Sequence, residues 1–217
     1  MIYDKDIREP LFDWLELTFG KVRVIEEKTI GKSRADVFMV LPDCICGIEI
    51  KSDADTYTRL ARQVKDYDRY FDRNLVVVGT SHAMHIEEHV PAYWGIVTVE
   101  DTPEGIDFYL LRKPGENEKA GWDRKLTLLW RPELAAVLEA FEMPKYKAMS
   151  KPFVTGKILA AIGTKIPEDK LKTVFSNLLF ERDYDILLKN IEQYREEHKR
   201  PERPRRKRRR RRKSAAK

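Results

Sequence analysis

The feature that most constrains this chain is a spacing: an acid at Asp36, a turn at Pro42-Asp43, and the triplet Glu49-Ile50-Lys51. Residues 35–41 and 44–51 both read as strands, and the Pro-Asp between them predicts a hairpin. Side chains alternate along a strand, so Glu49 and Lys51 share one face while Ile48 and Ile50 share the other. Val37 and Met39 take the apolar alternate positions beside Asp36, as expected for strands half-sunk in a core. Two carboxylates and an ammonium therefore converge on one patch of sheet. Carboxylates are hard oxygen ligands for a divalent cation. Such a cation acidifies a bound water and stabilises phosphoryl oxygens, and a neighbouring lysine can orient that water or offset developing negative charge. A lone acid followed by Glu-x-Lys is nonetheless a common surface pattern, so its surroundings carry the weight.

Those surroundings are consistent with an α/β domain. The periodicity predicts a helix over 5–19, strands over 22–30, 35–41 and 44–51, a helix over 55–71 and a buried strand over 75–79. In the second helix Leu60, Val64, Tyr67 and Phe71 form an apolar stripe, with Asp53 or Asp55 as N-cap, and Arg59, Gln63 and Tyr67 follow one edge. Two further strands, 95–99 and 106–112, flank Asp101-Thr-Pro-Glu-Gly105. Helices are expected from Arg131 to Pro144, and over 153–162, 168–180 and 183–198.

This order, with Asp on the second strand and Glu-x-Lys on the third, resembles the PD-(D/E)XK nuclease superfamily. Ala35 stands where the motif has Pro, and Gln63-Val-Lys-Asp-Tyr67 is similar to the QxxxY helix of its RecB-like members. Arg34-Ala-Asp36, the run Gly47 to Asp53, Arg62-Gln63, Tyr93 to Ile96 and Leu128 to Leu134 resemble an uncharacterised bacterial and phage branch, over roughly residues 5–140. The resemblance implies a restriction-endonuclease-like core: a mixed central sheet flanked by helices in α-β-β-β-α-β order. It implies Asp36 and Glu49 as ligands of Mg²⁺ or Mn²⁺, with the Ile50 carbonyl as a third. It also implies Lys51 as catalytic lysine and Gln63 as a residue orienting substrate or lysine. For a further acid, Glu9 and Glu16 on the first helix and Glu26 and Glu27 on the first strand are all open.

Charge adds a partner. Residues 199–217 hold 13 Lys/Arg against one Glu, a net of +12, whereas residues 1–198 hold 29 against 35, a net of −6. The run through Arg205, Arg206, Lys207, Arg208, Arg209 and Arg210 has nothing apolar to bury, so a disordered tail is expected. Its natural ligand is a polyanion, bound without sequence preference and in a salt-sensitive way. The expected organisation is a nuclease-like domain over 1–142, a helical subdomain over 143–198 and the tail over 199–217. A helix-turn-helix within 158–179 lacks a distinctive recognition helix, and Trp94 reads as core before it reads as a base-stacking platform.

Other chemistries find little support. Cys44 and Cys46 alternate onto the apolar side of their strand and read as buried hydrophobes in a reducing compartment. His85-Ile-Glu-Glu-His89 lacks the metalloprotease glutamate, so His82, His85 and His89 read as surface residues, His82 alone being near enough to the site's edge for a substrate contact. No apolar run approaches the ~18–20 residues of a membrane span, and the start lacks a signal-peptide pattern. The expectation is a cytoplasmic, metal-dependent deoxyribonuclease of repair, recombination, phage replication or defence. RNA stays open as a substrate, a homodimer as an assembly, and a catalytically inactive nucleic-acid-binding module as the alternative. A structural protein led by its basic tail would leave the strand pair unexplained.

Overall fold

The computed structural model describes residues 2–183, with 189, 192 and 193. The chain divides into two units, Met1–Glu181 and Arg182–Lys217, and every element described here belongs to the first. The expected helix at 183–198 and the arginine run at 205–210 lie outside the described residues, apart from scattered positions.

A six-stranded mixed sheet forms the centre, its strands neighbouring in chain order: β1 (Arg23–Ile30), β2 (Ser33–Val40), β3 (Ile45–Lys51), β4 (Arg73–Gly79), β5 (Gly95–Thr102) and β6 (Gly105–Arg112). Pairs β1–β2, β2–β3 and β5–β6 are antiparallel, while β3–β4 and β4–β5 are parallel. The parallel pairs need crossovers. One carries α2 (Leu60–Tyr70); the other carries a single-turn α3 (Thr80–Ala83). With α1 (Asp4–Phe19) before β1, the α-β-β-β-α-β order holds.

Alternation along the strands feeds two apolar layers. Helix α1 lays Ile7, Leu11 and Leu15, four residues apart on one stripe, onto Val37, Met39, Ile48 and Ile50. The opposite face, with Phe38, Val40, Val76 and Val78, receives Tyr67 and Phe71 from the other side. This second layer continues through α4 (Trp122–Leu128), α5 (Arg131–Ala140), α6 (Lys151–Leu159) and α7 (Glu168–Phe180), which contribute Leu126, Leu134, Val154 and Phe175. Gly47 explains how closely α2 approaches β3. A Cβ there would meet the Phe71 ring at 2.3 Å and the Tyr67 ring at 2.7 Å, so only glycine lets the helix rest on the strand. Since 47, 49 and 51 share a face, Glu49 and Lys51 lie beneath the same layer.

The second helix starts later than its periodicity suggests. Residues 57–59 form a 3-10 turn and α2 begins at Leu60. Neither expected cap serves it. Asp55 accepts from the N–H and hydroxyl of Ser52 at 2.9 and 2.6 Å. Asp53 accepts from the Ile2 amide and from Ser81. The cysteines are free, with Cys46 in the α1 layer; burial pushes the Cys44 thiol up to about 11 and that of Cys46 further. Trp94 is fully buried and donates its indole N–H to Asp68 at 2.9 Å, so it is core. Among the described residues no helix is long and apolar enough to cross a membrane.

Candidate functional site

The β2–β3 ladder runs from Val40–Ile45 to Val37–Ile48 and stops there. The next facing positions would be Asp36 and Glu49. Tyr67 takes over at that point. Its hydroxyl donates to the Ile48 carbonyl at 3.1 Å and accepts the Asp36 N–H at 3.2 Å. Asp36 Oδ2 then accepts the Ile50 N–H at 3.0 Å. Side chains thus replace direct rungs, which satisfies buried backbone groups while holding the two acid-bearing strands in a fork. Tyr67 is fully buried; desolvation, then the charges of Glu49 and Asp36, raise its phenol well above the ordinary tyrosine range, so it remains a neutral donor.

Glu49 is completely buried and Lys51 nearly so, at 0% and 3% exposure. Lys51 Nζ lies 2.6 Å from Glu49 Oε1 and donates to Gln63 Oε1 at 3.3 Å. The Gln63 amide nitrogen, from the first turn of α2, donates to the same Glu49 oxygen. One carboxylate oxygen is therefore shared by two donors. The other, Glu49 Oε2, is buried without a hydrogen-bond partner among the described residues. The surroundings of Asp36 also disfavour its charged form. Burial first, then the Glu49 charge, push its carboxyl up to about 7, against the pull of the Ile50 N–H and Lys51. A buried carboxylate oxygen without a partner, on the residue whose charge helps keep Asp36 from ionising, is what a divalent cation would relieve. The donor set is hard oxygen, matching Mg²⁺ or Mn²⁺.

The geometry also shows a deficit. Among the described residues no three His, Cys, Asp or Glu are grouped to hold a metal ion. Of the acids expected as a further ligand, Glu27 lines the cleft, but its two oxygens are held by Arg8 at 3.1 Å and Arg34 at 2.6 Å. Glu27 also has a left-handed φ of 56° at a gap in the β1–β2 ladder, a conformation that non-glycine residues rarely adopt. Glu26 pairs with Arg8 at 3.2 Å, and Glu9 and Glu16 are exposed and do not line the cleft. Sequence reasoning missed Asp4 and Arg8, both of which do line it. Arg8 binds Asp4 at 2.7 Å, reaches the Asp36 carbonyl at 3.4 Å and stands 3.9 Å from Asp36 Oδ1. The only signal for them was their place in the first turns of a helix whose partner face was unknown.

Asp36, Glu49, Ile50, Lys51 and Gln63 thus come together in one open cleft of about 680 Å³. Lys32, Arg34, Arg59 and Arg62 stand on its rim and are exposed. With acids at the floor and cations at the lip, the cleft suits a ligand carrying several negative charges at its rim. His82 lies outside this cleft; its ring packs on Tyr57, as does that of His89.

The family described as Bacteriophage P4 protein cII matches residues 2–201. No curated protein matches the chain. Among solved structures, SfsA of Pyrococcus furiosus in complex with Ca²⁺ is similar at 16% identity and a TM-score of 0.29. The match covers 52% of this chain and 61% of that one, less than two thirds of its length. Neither match names the PD-(D/E)XK superfamily.

Proposed function

The chain belongs to the Bacteriophage P4 protein cII family, and from the site it carries we propose that it is a metal-dependent nuclease of the PD-(D/E)XK type that hydrolyses phosphodiester bonds in DNA. The observation that carries this reading is the buried carboxylate pair, Asp36 and Glu49, with one Glu49 oxygen unpaired and Lys51 fixed beside it. Asp36, Glu49 and the Ile50 carbonyl would hold Mg²⁺ or Mn²⁺, which when bound would acidify a water and stabilise phosphoryl oxygens. Lys51 brings a charge preorganised by Glu49 and Gln63, so it can orient the attacking water or offset charge on the phosphate without moving. Gln63 acts through Lys51 and Glu49, bridging the two. Tyr67 keeps both carboxylate strands in place. The basic run at 205–210 would add a sequence-independent hold on the polyanion.

The absence of a third grouped acid among the described residues favours one second reading: a nucleic-acid-binding module without turnover. Covalently closed circular DNA and linear DNA, each single- and double-stranded, separate the two when incubated with Mg²⁺, Mn²⁺ or chelator. The nuclease reading expects metal-dependent cutting of circles or linear ends by the parent and none by Lys51→Ala. Removing one member of a buried ion pair costs about 3–5 kcal/mol, so Lys51→Met, which keeps the aliphatic stem, runs beside it with a thermal-unfolding control. Cutting by a folded Lys51 variant at the parent's rate would sink the mechanism. Chelator-indifferent binding with no cutting of any substrate would establish the second reading.

A further inference from the structure

The basic rim does not end at the site. A second cleft of about 670 Å³ adjoins the first and shares Gly31, Lys32 and Arg62 with it, then continues along α2 past Lys65 and Arg69 to Lys119. Arg62, Lys65 and Arg69 follow at helical spacing, and all three are exposed, while Gln63, Asp66 and Tyr67 between them and Tyr70 just beyond are buried. The helix therefore turns one face to the core and sets its cations on the other. None of Lys32, Arg62, Lys65 or Arg69 forms an ion pair with a described residue. Lys119 does, 3.2 Å from Asp68, so it adds little free charge.

The platform is rigid. The β1–β2 turn that carries Lys32 is fastened to α2 by Asp66, which accepts the Lys32 N–H at 3.2 Å and the Ser33 hydroxyl at 2.7 Å. The Gly31 N–H adds a bond by donating to the Tyr70 hydroxyl oxygen at 3.1 Å. Gly31 has a φ of +57°, and a Cβ there would fall 2.6 Å from Asp66, so the turn can lie this close only as glycine. Both buried acids of this cleft are occupied: Asp66 by the turn, and Asp68 by Trp94, by the Tyr93 hydroxyl at 2.6 Å and by Lys119. The backbone positions that carry the cations are fixed before any ligand arrives, so the ordering cost of binding is confined to the side chains.

We propose that Lys32, Arg62, Lys65 and Arg69 form a phosphate track that leads one strand of a DNA backbone to the Asp36–Glu49 floor. The proposal rests on the nuclease reading only for the nature of the ligand. From Arg62 to Arg69 the helix rises about 10 Å, and the charges of one DNA strand recur every ~3.4 Å along the duplex axis, so the face spans about three phosphates. Contacts from these four cations to phosphate oxygens carry no sequence information, so the track is expected to hold DNA of any sequence.

The test is the salt dependence of binding. A fluorescein-labelled duplex, the matching single strand and a duplex RNA are titrated with full-length protein in chelator, by anisotropy, over a range of salt. The triple variant Arg62→Ala/Lys65→Ala/Arg69→Ala is compared with Lys147→Ala/Lys170→Ala/Lys172→Ala, which removes the same charge from exposed positions outside both clefts. Each phosphate contact contributes about 0.9 to the slope of log K against log salt for duplex and about 0.7 for single strand. The track variant should lose about 2–3 from the DNA slope while the control triple keeps the parent's. Equal slopes for the two triples would overturn the track, and so would a loss confined to RNA. Cleavage is scored apart, with Lys51→Ala: a protein that never cuts yet shows the slope difference refutes the catalytic reading and leaves the track standing.

Discussion

Replacing Asp36 by Asn should make the metal-free protein more stable, which is the reverse of what loss of a charged, hydrogen-bonded residue ordinarily does. The Asp36 side chain is 22% exposed, and its carboxyl ionises at about 7 in the fold against about 3.9 in an unfolded chain. Between those values the folded state holds a proton that the unfolded state has released. Stability then falls as pH rises from about 4 to 7, and above 7 the whole penalty is present. Three pH units at about 1.4 kcal/mol each give about 4 kcal/mol. The Arg8 guanidinium 3.9 Å away and the partial exposure moderate it, leaving about 2–4 kcal/mol. Asn retains an oxygen for the Ile50 N–H, so the fork keeps its bond. In chelator at pH 8, Asp36→Asn should melt roughly 5–15 °C above the parent, and the gap should close as pH falls toward 4. Mg²⁺ or Mn²⁺ should raise the parent's midpoint and leave the variant's unchanged. A variant no more stable than the parent at pH 8, or a gap of the same size at pH 4.5, would refute the account of Asp36 as a carboxyl whose ionisation is opposed by burial and by Glu49.

Two other changes probe the frame that holds the site. Gly47→Ala drives a methyl into the Phe71 and Tyr67 rings and should cost about 1–3 kcal/mol by thermal or urea unfolding; an unchanged midpoint would mean that α2 does not rest on β3 as described. Asp68→Ala strips the acceptor from the buried Trp94 indole and from Tyr93 and should cost about 2–3 kcal/mol, with Asp68→Asn recovering part of it; equal stability of the Ala and Asn variants would show that the indole N–H finds another partner.

The hairpin and the element order were legible because they rest on short-range signals. Alternation over 35–41 and 44–51 around Pro42-Asp43 sets the side-chain faces that bring Asp36, Glu49 and Lys51 together, whereas Ile50 and Gln63 entered only through the superfamily resemblance. What escaped the sequence depends on partners distant in the chain. Asp53 and Asp55 look like caps, yet bonds to Ile2, Ser81 and Ser52 claim them, and the helix begins at Leu60. Helix α4 was missed since its buried face includes Lys125, which reads as solvent-exposed. In the fold its ammonium lies 3.8 Å above the Trp122 ring and 2.8 Å from Asp72. Arg8 and Asp4 became site neighbours only once α1 was placed against the sheet, and Tyr67 was already accounted for by its apolar stripe.

That tyrosine has a consequence for how such a site could arise. A hairpin with this sequence, left to itself, would go on zipping past Val37–Ile48 and set Asp36 against Glu49 as two like charges on facing rungs. The phenol of Tyr67 acts as a wedge where the zipper would close, and it belongs to an element that lies outside the hairpin. The gap into which a cation could fit is therefore a product of two segments, one supplying the acids and the other prying them apart. Neither segment forms the gap alone, so a duplication or graft that moved the acidic hairpin without α2 would transfer a motif and leave this geometry behind.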